Sequence, residues 1–380
     1  MRILFIQKEG GIFGAENFQL KIIPALKERG VNVEFLRLYT NYQGGIGGDF
    51  IDRLEKLNVK TYEENIGKFP KPKVLSSIKA LITKGKYDIV HTHLIHADLC
   101  LSLIKLFMGG IACPWISTKH GYDNKFTAKN GFDAEKQGLT PYYMLMRLSE
   151  RLCDHSYTIS HGLRNFFIAS KATKAAKMNM IHYGFDFKEI TNDYINSDFR
   201  KFKKQIVIAG RLVKFKGHYY LVKSLSLLQK MNSDVGLVIV GSGDEEENLK
   251  ALVNELGLKD SVVFAGYSKE VVRWMYNSDV VAVPSISEGF GVVFLEAFSC
   301  KKPVVAWDVP AGNELMVDNE TGYLVRPYEI DSLAKRINYI LNNREESEEV
   351  GRNAYSKLKT YFTLDRMTQE TVELYKKALN

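Results

Sequence analysis

Residues 280–299 read VVAVPSISEGFGVVFLEAFS, an apolar run, a loop with two glycines, and a second apolar run. The first run predicts a buried strand over Val280–Pro284, and the second predicts a helix over Gly291–Ser299. A strand joined to a helix by a short loop is the repeating unit of a parallel sheet covered by helices. Gly289 and Gly291 let the backbone approach a ligand closely, and the unpaired N–H groups at a helix start attract anions.

The same alternation of strands and helices runs along the whole chain of 380 residues, a length that suggests two domains. The predicted strands are Arg2–Gln7, Val31–Leu38, Tyr87–Thr92, Trp115–Thr118 and Ser156–Ser160, followed by Gln205–Gly210, Val235–Gly241, Val262–Gly266, Val280–Pro284, Pro303–Asp308 and Tyr323–Val325. The polar segment Lys188–Lys204 has no apolar periodicity, so we predict the linker there. The sequence therefore predicts an α/β protein with two doubly wound domains.

The charge of the chain is unevenly distributed. The first 200 residues carry 28 Lys+Arg against 20 Asp+Glu, whereas the remaining residues carry 24 of each. This excess indicates either solubility or an anionic partner, such as a phospholipid surface, a lipid-linked phosphate or nucleic acid. The four cysteines form no CxxC pair, which predicts a reduced, cytoplasmic location. Leu99–Thr118 is nearly uncharged, but its glycines and proline favour a helix and a strand over a membrane span.

Two carboxylates, Glu288 and Glu296, flank the start of the predicted helix. Eight helical residues span about 12 Å, whereas the two carboxyls of a retaining glycosidase lie about 5 Å apart. A glycosidase pair is therefore excluded. The carboxylates can instead hold opposite ends of an extended ligand whose phosphates lie at the helix start. The alternative is that Glu288 is a first-turn helix charge and Glu296 a surface residue.

The loop GRLVKFKG, residues 210–217, places Arg211 at the end of a strand and Lys216 just before the next helix. A planar guanidinium and a point-like ammonium at one sheet edge suit a diphosphate. A basic pair of this kind also occurs in ordinary solvated loops, and the sequence leaves that alternative open.

The first strand is followed by another glycine-containing turn, with Gly11, Gly14 and Glu16. Its backbone N–H groups suit a ligand, although such a turn can also be merely tight. Gly241-Ser-Gly243 resembles the start of a dinucleotide motif, but Glu246 stands where its third glycine belongs. An acidic helix start repels a pyrophosphate, so we exclude a nicotinamide site there.

Histidines cluster in the first half at His91, His93 and His96, with His120 further along. The chain has no HExxH motif and no cysteine at ligand spacing, so structural hydrogen bonding is favoured over zinc. His120 lies at the carboxyl end of a predicted strand, where a neutral imidazole can bond a sugar hydroxyl or a carbonyl. No DxD triplet occurs, and we predict neither a metal nor another cofactor.

Taken together, these motifs resemble retaining glycosyltransferase family 4, which has the GT-B fold of two Rossmann-like domains facing across a cleft. The most specific match is the Glu-x7-Glu signature from Glu288 to Glu296. The match also includes Gly210-Arg211…Lys216-Gly217 and the first-half segments around Gly11, His91–His93 and His120. Two segments depart from the family pattern: HYGFD stands at 182–186 instead of Asn-Gly-Val-Asp, and AGNE stands at 311–314 in a loop that is usually glycine-rich.

The resemblance implies an acceptor-binding domain at 1–190, a nucleotide-sugar-binding domain at 200–362, and a last helix at 363–380 that returns to the first domain. It implies transfer of a sugar, with retention, from a nucleotide diphosphate sugar to a glycan or lipid-linked acceptor in bacterial surface polysaccharide synthesis. The implied catalytic residues are Glu288, His120, Arg211 and Lys216. The implied donor contacts are Arg211, Lys216, Glu288, Gly289, Phe290, Gly291, Glu296, Gly11 and Gly14, and the implied acceptor contacts are Glu16, His93 and His120.

Three other functions remain open: a nucleotide-sugar epimerase, an inverting transferase, and a non-catalytic nucleotide-sugar-binding subunit. Nucleic-acid binding is disfavoured because no helix–turn–helix or paired aromatic platform accompanies the basic half. The segment Pro72–Lys86 predicts an amphipathic helix ringed by lysines, which either lies on anionic lipid or packs on the sheet. A second basic run, Arg164–Lys177 near Phe166 and Phe167, raises the same alternatives.

Overall fold

The computed structural model describes residues 1–9, 14–40, 48–122, 140–186, 190 and 192–380. The chain divides into two compact units. The described residues up to 186, together with 364–380, form the first unit, and residues 190–363 form the second. Within these ranges no helix combines the length and the apolar character needed to cross a bilayer.

The first unit is built on a seven-stranded parallel sheet in the order β3-β2-β1-β4-β5-β6-β7. Its strands are Arg2–Lys8 (β1), Asn32–Tyr39 (β2), Thr61–Asn65 (β3), Ile89–His93 (β4), Trp115–Lys119 (β5), His155–Thr158 (β6) and Met178–Met180 (β7). The helices of this part are Gly14–Glu28 (α1), Gly48–Lys56 (α2), Pro72–Gly85 (α3), Leu94–Phe107 (α4), Pro141–Leu152 (α5) and His161–Ala169 (α6). The strand order reverses between β1 and β4, and ligands of open α/β sheets bind beyond the strand ends at such a point.

The second unit is built on a six-stranded parallel sheet in the order β10-β9-β8-β11-β12-β13. Its strands are Lys204–Ala209 (β8), Val235–Val240 (β9), Val262–Gly266 (β10), Val280–Val283 (β11), Val304–Trp307 (β12) and Tyr323–Val325 (β13). Its helices are His218–Met231 (α7), Glu246–Glu255 (α8), Val271–Tyr276 (α9), Val292–Ser299 (α10), Pro310–Leu315 (α11), Ile330–Asn342 (α12) and Arg344–Tyr361 (α13). Strand β9 reads VGLVIV and is buried throughout, as expected for a parallel strand covered on both faces. The predicted fold class is confirmed by these two sheets.

The last helix, Leu364–Leu379 (α14), packs in the first unit although it follows the second unit in sequence. The backbone N–H of Gly184 donates to Met367 Sδ at 3.0 Å. Arg29, one residue beyond α1, pairs with Asp365. The hydroxyl of Tyr375 bonds a histidine of β4, so the helix is joined to the centre of the first sheet.

The apolar stripe of α3 faces the core and not the solvent. Leu75, Ile78 and Ile82 are buried against residues of β1, β2 and β4 and against α4. Of the two alternatives for Pro72–Lys86, the structure therefore supports packing on the sheet. In the second basic run, Phe166 and Phe167 are likewise buried.

The sequence prediction missed strands β3 and β7. Strand β3 reads TYEEN, which lacks an apolar alternation, and its carboxylates are instead partnered across the fold. Glu63 pairs with Arg37 of β2 at 2.8 Å, and Glu64 bonds Ser77 of α3. Strand β7 has only three residues, too few for a periodicity to appear.

The predicted linker Lys188–Lys204 is wrong for its described residues from 192 onwards, because they fold as part of the second unit. Phe199 is buried, and its ring centroid lies 4.9 Å from that of Trp274 in an edge-to-face arrangement. Arg200 pairs with Asp279 at 2.7 Å. These contacts lie about 75 residues apart in sequence, so local composition did not reveal them.

Candidate active site

The loop after β8 carries the two predicted cations of the second unit. Arg211 follows the strand directly, and Lys216 ends a short 3-10 turn, Lys214–Lys216, before α7. Arg211 Cζ lies 5.8 Å and Lys216 Nζ 6.0 Å from the ring centroid of Phe215. The structure thus brings both cations to one aromatic ring at the carboxyl edge of the sheet.

A glycine holds this loop against the loop that follows β11. Gly217 has φ +78°, and a Cβ on it would lie 1.9 Å from the carbonyl oxygen of Pro284. Beside this contact, the backbone N–H of Ile286 donates to the carbonyl of Phe215 at 2.8 Å. Any side chain at position 217 would separate the two loops, which explains the glycine that follows Lys216.

Lys216 and Glu288 form an ion pair between these two loops. Lys216 Nζ lies 2.5 Å from Glu288 Oε1, and the side chains are 19% and 11% exposed. Charge-assisted bonds in partly dry surroundings are stronger than solvated surface pairs. Lys216 is therefore held in place, which does not fit the alternative of a freely solvated loop. Arg211 is exposed at the same edge.

Helix α10 begins immediately after this pair. Gly291 at its start has φ +90°, and its helix has no acidic residue in the first turn and no side chain bonded at the cap. Such a start presents N–H groups and the positive end of the helix dipole. The predicted anion-binding elements of the second unit are thus a guanidinium, an ammonium and a helix start.

The remaining predicted donor contacts differ in accessibility. Glu296 is half-buried in the second turn of α10, and Gly289 is half-buried in the loop. Phe290 is 2% exposed and packs its ring 5.8 Å from that of Phe362. The prediction that Phe290 contacts the donor therefore needs correction: its side chain is a core residue, and only its backbone is placed for a ligand.

The glycines Gly241 and Gly243 have a structural explanation. A Cβ on Gly241 would lie 2.0 Å from the carbonyl oxygen of Gly210, and one on Gly243 would lie 2.5 Å from that of Leu212. The N–H of Leu212 donates to the carbonyl of Ser242 at 3.0 Å. These glycines let the ends of β8 and β9 approach each other, and the acidic start of α8 follows them.

The first unit places its histidines in one row at the carboxyl ends of β4 and β5. His120 Nε2 lies 2.9 Å from His93 Nδ1, and His120 Nδ1 lies 2.5 Å from the hydroxyl of Tyr183. His91 bonds the hydroxyls of Tyr375 and Thr118, each at 2.7 Å. The ring nitrogens of His91 and the Nδ1 of His93 thus serve hydrogen bonds, as the sequence analysis favoured over metal binding.

Burial keeps these histidines neutral. It lowers the pKa of His120 to about 3, with the nearby Lys119 as a second cause. It also lowers the pKa values of His91 and His93 well below the ordinary value, and the neighbouring histidines add to this. Neutral imidazoles donate and accept hydrogen bonds without presenting a charge, which suits hydroxyl groups.

Two predicted acceptor contacts are buried. His93 is fully buried, and Glu16 is 3% exposed with its Oε1 accepting from Gln7 Nε2 at 2.7 Å. Because they are buried, these two side chains are better placed to support neighbouring residues than to contact an acceptor directly. Gly14 begins α1, whereas Gly11 lies outside the described residues.

Sequence reasoning missed a buried charge cluster next to His120. Lys119 Nζ lies 2.5 Å from Asp98 Oδ2 of α4 and 3.3 Å from Glu150 Oε1 of α5, and it bonds Ser117 and Ser149. These carboxylates raise the pKa of Lys119 against the opposing effect of burial. The cluster joins two helices to the end of β5, where His120 begins the following loop. A lysine at the end of a buried strand, next to His120, was the available signal.

Two family models match the chain, one in each half. The model "Glycosyltransferase Family 4" matches residues 12–189, and the model "Glycosyl transferases group 1" matches residues 191–357. The boundary between the two models, at residue 190, lies four residues after Asp186, where the first unit's segment ends.

Three curated relatives illustrate the similarity. An uncharacterised glycosyltransferase of Methanocaldococcus jannaschii is 32% identical over 236 residues, which cover 58% of this chain and 60% of that protein. An uncharacterised glycosyltransferase of Haemophilus influenzae is 25% identical over 348 residues, 90% of each chain. The capsular polysaccharide biosynthesis glycosyltransferase CapM of Staphylococcus aureus is 24% identical over 247 residues, 61% of this chain and 65% of that one.

Among solved structures, Alr3699/HepE of Anabaena in complex with UDP superposes with a TM-score of 0.83 at 21% identity. The superposition covers 99% of this chain and 100% of that one, and at this identity it shows the fold. The two sheets, the two family models and this likeness agree. The chain belongs to the GT-B glycosyltransferases, with a family 4-type first half and a group 1 second half.

Proposed function

We propose that this protein is a retaining hexosyltransferase that uses a nucleotide diphosphate sugar, with a UDP-sugar as the donor. The observation that carries the proposal is the Lys216–Glu288 pair beside Arg211 and the start of α10. Solved complexes of the Anabaena protein with UDP and with UDP-glucose support the choice of donor.

Arg211 and Lys216 act on the leaving diphosphate. As the bond to the sugar breaks, negative charge grows on the phosphate oxygen and the sugar becomes oxocarbenium-like. Fixed cations and helix N–H groups that point at this charge lower the barrier, and loss of one such donor costs about 10²–10³ in rate. Glu288 orients Lys216 and takes the hydroxyls of the donor sugar, while Glu296 takes the nucleotide ribose.

Retention follows from attack on the face that the diphosphate leaves. The acceptor hydroxyl approaches that face and passes its proton to a leaving phosphate oxygen, so no enzyme nucleophile is required. His120 contributes a neutral hydrogen bond to a substrate hydroxyl. Gly14 offers a backbone contact to substrate at the start of α1, and the buried His93 and Glu16 support neighbouring residues at this edge of the first sheet.

The acceptor is a glycan or a lipid-linked glycan in bacterial surface polysaccharide synthesis. The relative CapM, whose name places it in capsular polysaccharide biosynthesis, supports this pathway. The proposed reaction takes place on the cytoplasmic side of the membrane and needs no metal.

The function is tested with the whole chain and a panel of UDP-, GDP- and ADP-sugars. We expect one donor to raise the unfolding temperature, because a ligand bound only by the native state stabilises it. With that donor and an acceptor, nucleotide is released, and NMR shows a product with the donor's anomeric configuration. Inversion would identify an inverting transferase, isomerisation without acceptor an epimerase, and binding without turnover a non-catalytic subunit.

We also propose that the basic first unit touches an anionic membrane through Lys68–Lys73, which reads KFPKPK. Phe69 is 79% exposed, and the lysines 68, 71 and 73 around it are exposed. Each lysine near anionic lipid contributes about 1 kcal/mol. The segment follows β3 at the carboxyl edge of the sheet, whereas the apolar stripe of α3 is buried and plays no part.

Flotation with phosphatidylglycerol vesicles at low salt tests this contact. We expect wild type to bind, F69A to bind several-fold less, and the binding to vanish with salt. F107A is the matched control, because Phe107 is 77% exposed at the opposite edge of the first sheet. Equal binding of F69A and wild type would remove the membrane contact.

A further inference from the structure

The imidazole of His120 is held from both sides by the protein itself. Its Nδ1 bonds the hydroxyl of Tyr183 at 2.5 Å, and its Nε2 bonds His93 Nδ1 at 2.9 Å. Each ring nitrogen has one hydrogen or one lone pair to offer. A substrate hydroxyl that reaches His120 must therefore replace or share one of these bonds, so both partners bear on how His120 acts.

The partner hydroxyl is itself fixed by packing. The ring of Tyr183 stacks on that of Phe18, with centroids 4.9 Å apart and an interplanar angle of 27°. Phe18 also meets His120 edge-on at 5.4 Å. Tyr183 is 5% exposed, so its hydroxyl cannot turn to solvent without disturbing this contact.

The two bonds of His120 are coupled through its single ring hydrogen. If that hydrogen is on Nδ1, His120 donates to Tyr183 and accepts from His93; if it is on Nε2, both directions reverse. His93 Nε2 is buried and has no hydrogen-bond partner among the described residues. The first arrangement leaves that nitrogen without a hydrogen, and buried N–H groups without partners are the rarer case in proteins.

We propose that Tyr183 is a positioning residue of the transfer reaction, which sets the orientation and the tautomer of His120 through its hydroxyl. The inference rests on the proposed function, in which His120 contacts substrate. Tyr183 belongs to the segment HYGFD that departs from the family pattern.

The test compares two buried tyrosines that each bond a histidine. Y183F removes the hydroxyl at His120, and Y375F removes the one that bonds His91 Nδ1 at 2.7 Å in the same unit. We expect Y183F to lower kcat about three- to tenfold, the worth of one hydrogen bond, with little change in KM. Y375F is expected to leave kcat unchanged, even where it lowers the unfolding temperature as much.

A second variant and a spectrum separate positioning from general disturbance. In an H120A background, Y183F should change kcat no further, because Tyr183 acts through that ring. In histidine-selective ¹⁵N NMR of the full chain, the His120 signals are assigned by their loss in H120A. We expect these signals to show the ring hydrogen on Nδ1 in wild type and to change position in Y183F. The proposal would be overturned if Y183F had the same kcat as wild type or if Y375F lost as much kcat as Y183F. It would also be overturned if Y183F lowered kcat as much in the H120A background as in wild type.

The spectrum does not depend on turnover. A chain without transferase activity would end the proposed function, and unchanged His120 signals in Y183F would end the positioning role on its own.

Discussion

The two units present opposite chemistry at the carboxyl edges of their sheets. In the second unit the candidate site is ionic and partly open, with Arg211 exposed and Lys216 paired to Glu288. In the first unit it centres on a neutral imidazole, His120, which is held by His93 and by the hydroxyl of Tyr183. The charged groups near it, Lys119 with Asp98 and Glu150, lie inside the core and pair with one another.

This difference fits two different ligands. A diphosphate carries its charge into the site and needs fixed cations, whose effect grows where water is partly excluded. Sugar hydroxyls are neutral and need donors and acceptors that do not attract an ion instead. Under the proposed function, the diphosphate binds at the second unit and the hydroxyls are recognised by the first.

We expect the largest effect from a variant that tests whether Lys119, the buried cation of the first unit, stabilises the fold. K119M leaves Asp98 and Glu150 buried without their partner, and breaking a buried pair costs about 3–5 kcal/mol of unfolding free energy. K105M is the control, because Lys105 pairs with Asp154 at 3.4 Å in a half-exposed setting, worth about 1 kcal/mol or less. Urea unfolding measures both. A K119M protein that is as stable as wild type but no longer binds nucleotide would contradict this, because the diphosphate would then depend on a cation of the first unit.

The next effect tests the cations of the second unit. R211A and K216A are each expected to lower turnover at least tenfold, because loss of one charge-stabilising donor costs about 10²–10³ in rate in other enzymes. K214A removes the same charge from an exposed position in the same turn. Steady-state kinetics compare the three, and normal turnover in both R211A and K216A would refute the diphosphate assignment.

A smaller expected effect is a difference between the two units in how their unfolding free energy depends on pH. In the folded chain His91, His93 and His120 have lowered pKa values, so between about pH 6.5 and 3 the unfolded chain binds more protons. The unfolding free energy therefore falls with acidification, by about 1.4 kcal/mol per pH unit for each net proton. Glu9 has the opposite effect on the unfolding free energy. Burial raises its pKa to about 7, so the folded chain takes up one proton there as the pH falls.

Among the described residues of the second unit, one histidine is comparable: His218, whose pKa burial lowers to about 3. Trp115 reports the first unit, and Trp274 and Trp307 report the second. Urea midpoints followed by fluorescence in W274F/W307F and in W115F should fall more for the first unit between pH 7 and 5. A first-unit midpoint that is constant or rises would show that the histidine row is not held neutral.

The loops of the second unit's candidate site could be located from the sequence because their signals are local. Arg211, Lys216 and the stretch from Glu288 to Glu296 each lie in one strand–loop–helix connection, where glycines and charges mark the turn. The fold class followed from the same alternation. The sequence could not show that the side chain of Phe290 packs in the core, because its ring packs against Phe362, which lies far away in sequence.

The first site was predicted less completely because its contacts join distant segments. Tyr183 bonds a histidine 63 residues earlier, and Tyr375 bonds one 284 residues earlier. Lys119 looked like one basic residue at a strand end, and only the packing of α4 and α5 reveals its carboxylate partners. Burial also moved Glu16 and His93 from predicted contacts to supporting positions, which spacing alone does not disclose.

Nucleotide binding by titration calorimetry tests the central claim most directly. UDP, GDP and ADP are titrated into wild type, K214A and the double variant R211A/K216A, and the best of them is compared with its nucleoside. The account predicts that the diphosphate binds at least tenfold more tightly than the nucleoside, and that only R211A/K216A loses this advantage. An advantage that survives in R211A/K216A would contradict it.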